Sequence, residues 1–296
     1  MKKTFPLIFL LTLCLLTTKT ASIEASCYFA LDTGYRWDRI SNRATLGGLN
    51  VGVYGSTQKL KNINSYQLGG KGFWNLIECA YIRGEGHYGW TGKGKYSEGG
   101  YFGNTKGYTY DGKGALGWFF YVAPSIWFAP VVGYSTDALN LKATDIHVAI
   151  NGHRFHKKSI KAHQNFQGPF IGFDAFFVDD CFDFSLSYEF HFARWRGERL
   201  IQGREYGNSP IFGITTSFSN MRHLNHVYGN VFNFDFGYQF CNCWRIGLDL
   251  KFQSYYGDSG KYKQTRRPIQ PLFTYAKVDG LRWLSFASTL TLGRAF

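Results

Sequence analysis

Two short patterns in this chain set an acid two residues before a histidine, Glu85-Gly86-His87 and Glu189-Phe190-His191. Residues i and i+2 of a strand share a face. Within each pattern the carboxylate and the imidazole therefore point the same way. An acid that orients a histidine can activate water for general acid–base chemistry. The same residues could equally be links in a buried ion-pair network. Glu85, His87, Glu189 and His191 are the candidate catalytic residues, and their spacing alone does not raise them above that network. His147, His153, His156 and His163 match no tight metal-ligand spacing. No metal or cofactor is expected.

The elements that carry these pairs are strands with two different faces. In 182–192 the even positions Phe182, Phe184, Leu186, Tyr188, Phe190 and Phe192 alternate with Asp183, Ser185, Ser187, Glu189 and His191. In 232–240, Phe232, Phe234, Phe236, Tyr238 and Phe240 alternate with Asn233, Asp235, Gly237 and Gln239. Segments 28–37 and 244–253 repeat the period. A soluble sandwich also alternates. Here the apolar face is unusually aromatic and the other carries full charges, which suits a barrel with lipid outside and a polar interior. Aromatics make up 19% of the chain, and mean hydropathy is nonetheless slightly negative. Alternating strands average out in any hydropathy window, so a transmembrane antiparallel β-barrel gives no peak.

The first residues read as an export signal. Lys2 and Lys3 precede the apolar run Pro6 to Leu16, which is too short to span a bilayer as a helix. The expectation is a signal peptide over 1–26 and one barrel domain over 27–296, placed in the outer membrane of a Gram-negative bacterium. Strands are expected at 28–40, 62–74, 77–90, 107–121, 125–136, 166–178, 182–195, 228–240, 243–255 and 281–296. Short periplasmic turns then alternate with long external loops over 41–61, 91–106, 137–165, 196–227 and 256–280. This makes ten strands, with twelve as the alternative if 47–54 belongs to another hairpin. The last strand ends at Phe296 and resembles the signal read by the barrel-assembly machinery.

Parity assigns the lumen. Asp32, Arg36, Asp38, Lys71, Arg83, Glu85, Asp111, Lys113, Asp174, Asp183, Glu189, Asp235, Arg245, Asp249 and Lys251 face inward. The full chain carries +13, and removing Lys2, Lys3, Lys19 and Glu24 with the leader leaves +11. The excess falls in the external segments, at Lys142, Arg154, Lys157, Lys158 and Lys161, then Lys261, Lys263, Arg266 and Arg267. Such a rim suits outer-membrane lipid and the phosphates of lipopolysaccharide. Nucleic acid is not an expected partner of an exported barrel. Small inward positions, Gly34, Gly117, Ser185, Gly237 and Gly247, leave room inside. Barrels of about eight strands are filled by side chains, whereas 16–18 strands leave an aqueous channel.

Cys27, Cys79, Cys181, Cys241 and Cys243 all fall at the periplasmic end. That compartment is oxidising, so they are disulfide candidates, within the chain or to another envelope protein or copy. Five is odd, so at least one is free or bonded to another molecule. Zinc at Cys241-Asn242-Cys243 is the weaker alternative.

The acid–histidine placement resembles the omptin proteases, ten-stranded outer-membrane barrels with an Asp–Asp pair high on strand three and an Asp-x-His pair on strand seven. By that resemblance Glu189 and His191 match the second pair. Glu85 and His87 take the place of the first, with Glu for Asp and His for a carboxylate. A resemblance over nearly the whole mature chain is to the Protochlamydia outer membrane protein family. It rests on Gly34-Tyr35-Arg36-Trp37-Asp38, 81–90, Pro130-Val131-Val132-Gly133-Tyr134-Ser135, 168–174 and Ser187-Tyr188-Glu189-Phe190-His191. This family belongs to chlamydia-like intracellular bacteria and includes proteins regarded as porins. Their envelopes lean on disulfide cross-linking, which suits the cysteines. The functions these observations leave in play are a porin-like channel, a structural envelope barrel and, as the alternative, an omptin-like hydrolase.

Overall fold

The structure, a computed structural model, describes residues 27–48, 52–98, 101–148, 159–179, 181–206, 213–240, 244–267 and 275–296. The leader, Cys241 and Cys243 lie outside the described residues. The strands are β1 (Cys27–Gly48), β2 (Gly52–Ile77), β3 (Ala80–Glu98), β4 (Tyr101–Trp118), β5 (Phe120–Ala123), β6 (Ile126–Val148), β7 (Ser159–Asp179), β8 (Phe182–Tyr206), β9 (Gly213–Phe240), β10 (Trp244–Gly257), β11 (Gly260–Arg267) and β12 (Tyr275–Ala295). Each neighbour pair is antiparallel, and β12 returns to β1, closing the sheet. The wall has ten strands. β5 continues β4 past Phe119, and β11 continues β10 past Asp258 and Ser259, so neither adds a hairpin. The twelve-strand alternative falls because the described residues of 47–54 are the end of β1 and the start of β2, paired Gly47 with Val53 and Gly48 with Gly52, and add no hairpin of their own.

The faces obey the expected parity. Leu31, Leu68, Ile82, Leu116, Val132, Ile171, Phe236 and Leu290 are exposed on the outer wall. Trp74, Trp118, Phe182 and Trp244 edge this belt at the short-turn end, and Tyr66, Trp90, Tyr108 and Tyr256 edge it at the other. Closing the wall removes every unpaired sheet edge within the lipid. Leu248 points outward in the same belt. Leu248→Arg is expected to cost about 2–4 kcal/mol of barrel stability if the site is near mid-bilayer. Urea titration in lipid vesicles would measure it, and an unchanged midpoint would mean the belt is misplaced.

One expectation needs correcting. The segments read as long external loops are mostly strand. β9 has 28 residues and β2 has 26, whereas a tilted membrane-spanning strand needs about 9–11. The wall therefore continues well past the lipid as a second storey. Its chemistry is inverted: apolar residues point inward and polar residues outward, as in a water-soluble barrel. Ile40, Leu60, Ile63, Leu139, Leu141, Phe166, Trp195, Leu224, Leu281 and Trp283 fill this storey. Above them Glu98 accepts from Arg222 at 2.8 Å and from Tyr96 at 2.6 Å, and pairs with Arg199. Burial alone would raise the Glu98 carboxyl, but Arg199 and Arg222 outweigh it and hold its pKa down to about 2.

Candidate functional site

The lumen is built from charged side chains that the parity of each strand turns inward. At the short-turn end Arg245 donates from Nε to Asp183 at 2.8 Å and from Nη2 to Asp235 at 2.7 Å. Lys71 reaches Asp235 and lies 3.2 Å from Asp249. In the middle Lys113 donates to Glu189 at 2.7 Å and lies 3.3 Å from Glu85. Arg83 bridges Glu189 and Asp174, at 2.7 and 2.8 Å. Higher still, Arg36 donates to Asp38 at 3.0 Å and to Asp111 at 2.7 Å. Every lumen-facing residue assigned from sequence joins this network.

The inward glycines do not leave a passage. A Cβ on Gly237 would meet Arg245 Nε at 2.1 Å, and one on Gly117 would meet the Tyr81 ring at 2.3 Å. These glycines give up their side-chain volume to a guanidinium and a phenol lying across them. A Cβ on Gly247 would meet Thr291 and Arg245, and one on Gly34 the backbone and side chain of Thr289. On one side of the lower lumen Tyr81, Val131 and Phe170 pack with Phe73, Phe119 and Phe176.

The two acid–histidine pairs meet only through lysine. Glu85 and Glu189 share Lys113. His87 turns away from Glu189, with Nδ1 2.9 Å from Asp111 and Nε2 3.2 Å from Asp32. Both ring nitrogens face carboxylates, and an imidazole satisfies both by donating twice, as the charged imidazolium. His191 contacts Glu189 at 3.0 Å through Nε2 and Ser135 at 3.0 Å through Nδ1. Its ring stacks on Phe170 at 4.8 Å and meets the edge of Tyr255 at 5.6 Å. Glu189 is 1% exposed and His191 2%. The pair lies beneath the apolar second storey.

A cavity with about 10 Å³ of space for the centre of a water molecule lies between Asp111, Lys113, Asp137, Glu189 and His191. That is room for about one water. Asp137 is the residue the sequence reading missed, having been placed in an external loop. It is 3% exposed, and its Oδ1 has no hydrogen-bond partner among the described residues. It shares the inward parity of Val131 and Ser135, and that continuation of the period was the available signal. Glu85, His87 and Asp111 bring one ligand atom each within 4.8 Å of one another. Lys251 already fills the cation position there, its Nζ 2.8 Å from Glu85 and 3.3 Å from Asp111.

The fold has known counterparts. The outer membrane protease OmpT from Escherichia coli superposes with a TM-score of 0.68 at 11% identity, covering 95% of this chain and 100% of that one. The translocator domain of the autotransporter NalP from Neisseria meningitidis gives 0.35 at 8% identity, with 99% and 95% covered. The Pseudomonas putida toluene transporter TodX gives 0.30 at 7% identity, with 94% and 91% covered. At these identities the OmpT likeness speaks for the fold alone. A search of curated protein sequences finds no match. The profile of the Protochlamydia outer membrane protein family matches residues 30–296, nearly all of the barrel. This chain, a bacterial outer-membrane β-barrel, belongs to the Protochlamydia outer membrane protein family.

Proposed function

We propose that this protein is a closed structural barrel of the outer membrane, holding its second storey on the outer face, rather than a conducting porin. One observation carries the reading: ion pairs fill the lumen from Arg245 up to Arg36, and an aromatic layer of Phe166, Tyr255 and Trp283 lies across the column above them. Phe166 and Trp283 come from opposite parts of the wall, with ring centroids 4.4 Å apart. Ten strands give a narrow interior, and here charged and aromatic side chains occupy it. Liposomes carrying the refolded barrel should swell in sugar solutions no faster than empty ones. Swelling that tracks solute size would support a pore instead.

Partners on this reading are outer-membrane lipid, the assembly machinery that reads the strand ending at Phe296, and thiol-bearing envelope proteins or a second copy. Cys27, Cys79 and Cys181 lie at the short-turn end, and no disulfide joins them. After oxidising, alkylating extraction, at least two of the five cysteines should resist alkylation, and some protein should run as covalent oligomers on non-reducing gels. Five freely alkylated cysteines in native membranes would exclude cross-linking.

Hydrolysis is the second reading, and the Glu189–His191 hydrogen bond beside a one-water cavity favours it. Burial of both residues weighs against it, because a peptide would have to pass the aromatic layer. Under the structural reading a panel of fluorogenic peptides with basic residues stays uncut. Cleavage that vanishes in a folded His191→Gln barrel, typically a loss of at least about 10²-fold for a general base, would reverse the preference.

A further inference from the structure

Outside the barrel, lysines stand directly opposite lysines. Lys106 on β4 pairs in register with Lys142 on β6, and Lys142 pairs with Lys161 on β7. Two shorter ladders repeat the pattern, Lys61 with Lys95 and Lys261 with Lys277. Residues directly opposite in an antiparallel sheet bring their Cβ atoms within roughly 5 Å, and like charges there are destabilising. Lys106, Lys142 and Lys161 are all exposed, and none forms an ion pair among the described residues. The lumen is the contrast. There Arg36, Lys71, Arg83, Lys113, Arg245 and Lys251 each meet at least one carboxylate.

The position of the ladder indicates which anion would relieve it. Tyr66, Trp90 and Tyr108 form one register row at the upper edge of the lipid belt. Aromatic girdles sit at the level of the headgroups. Lys106 lies two residues beyond Tyr108 on the same outward face. Arg39 likewise lies two residues beyond Trp37, and Arg194 two beyond Phe192, so the basic collar begins where the girdle stops. Lys142 and Lys161 continue the row from Lys106 up the outer wall of the second storey, so a polyanion rising from the headgroups meets the apolar belt below and the lysines above.

We propose that the Lys106–Lys142–Lys161 ladder binds the phosphate groups of a phosphorylated glycolipid in the outer leaflet. The inference goes beyond the closed-barrel reading and does not depend on it, since it concerns only the outer wall. Each phosphate would sit between two lysines, turning a repulsive pair into a bridged one, while the acyl chains lie along the belt beneath Tyr108.

The test uses the folded barrel in zwitterionic micelles, with bis-phosphorylated lipid A and its dephosphorylated form as probes. Wild type should bind the phosphorylated form on the order of 100-fold more tightly than the K106Q/K142Q/K161Q variant does, at roughly one surface charge interaction lost per lysine. The triple arginine variant should keep most of the affinity. Equal binding by wild type and the glutamine variant would overturn the proposal, as would equal binding of the dephosphorylated lipid. Inorganic phosphate bound as tightly as lipid A would overturn the assignment to a lipid. If the triple variant fails to fold, judged by heat-dependent gel mobility, Lys142→Gln alone carries the test with an expected loss of roughly fivefold. Lys142→Gln should also unfold at higher temperature than wild type in lipid-free micelles and at lower temperature once lipid A is bound. A drop of equal size in both conditions would overturn the proposal.

Discussion

Replacing Arg36 with alanine should destabilise the barrel by about 3–5 kcal/mol, the cost of breaking a buried ion pair by removing one partner. Arg36 is 2% exposed and is the cation shared by Asp38 and Asp111, with Asp137 3.8 Å away. Its loss would leave carboxylates from β1, β4 and β6 facing one another in a medium of low dielectric. Lysine at the same site should recover only part of the loss, because a flexible ammonium lacks the planar fork that holds Asp38 through Nε and Asp111 through Nη1 in fixed directions. Unfolding by urea in lipid vesicles would give the difference. An alanine variant within about 1 kcal/mol of wild type, the size of an exposed pair, would mean that water reaches this layer and that the lumen is not the closed network described.

Trp283→Ala should be of similar size, about 3–5 kcal/mol for removing a large buried aromatic. Trp283 is fully buried, stacked on Tyr255 at 5.0 Å, and donates from its indole nitrogen to Asp38 at 3.0 Å. It also lies over the Arg36 guanidinium, 5.5 Å from the ring centroid. The residue thus joins the ionic lumen to the apolar storey, and losing it opens space above Arg36. Because the two residues touch, the double variant should cost less than the sum of the single ones. Strict additivity in that cycle would argue against the contact. Trp283→Ala should also be the single change most able to make the barrel leak.

The membrane-embedded half of this fold was readable because lipid outside and charge inside impose period two. Phe184, Phe234 and Leu248 against Asp183, Asp235 and Asp249 show it most clearly, and the structure keeps each on its expected face. The second storey was not readable, for two physical reasons. Bulges break the period at its base: inward parity shifts between Leu60 and Ile63, Thr91 and Gly94, Leu224 and Val227, and Val278 and Leu281. These shifts lie within a few residues of where the expected strands 62–74, 77–90, 228–240 and 281–296 end or begin. Elsewhere the period continues but its chemistry reverses. On β6 Tyr134 faces lipid beside inward Ser135, whereas Leu139 and Leu141 face inward beside outward Asn140 and Lys142. Across such a reversal apolar residues change face, and the pattern reads as a loop. Asp137 sits at that reversal, which is why this lumen carboxylate went unnoticed. The structure turns Glu85, His87, Glu189 and His191 inward, but local spacing could not give their partners: strand register brings Lys113 between Glu85 and Glu189 and sends His87 to Asp32 and Asp111.

Single-channel recording of the purified, refolded barrel in a planar bilayer bears most directly on whether this lumen is closed. The ion-pair column and the aromatic layer above it predict a silent membrane at moderate voltage, with conductance appearing only when Trp283 or Arg36 is removed. Reproducible, defined conductance steps from the wild-type barrel, inserted and folded, would contradict the closed-barrel account.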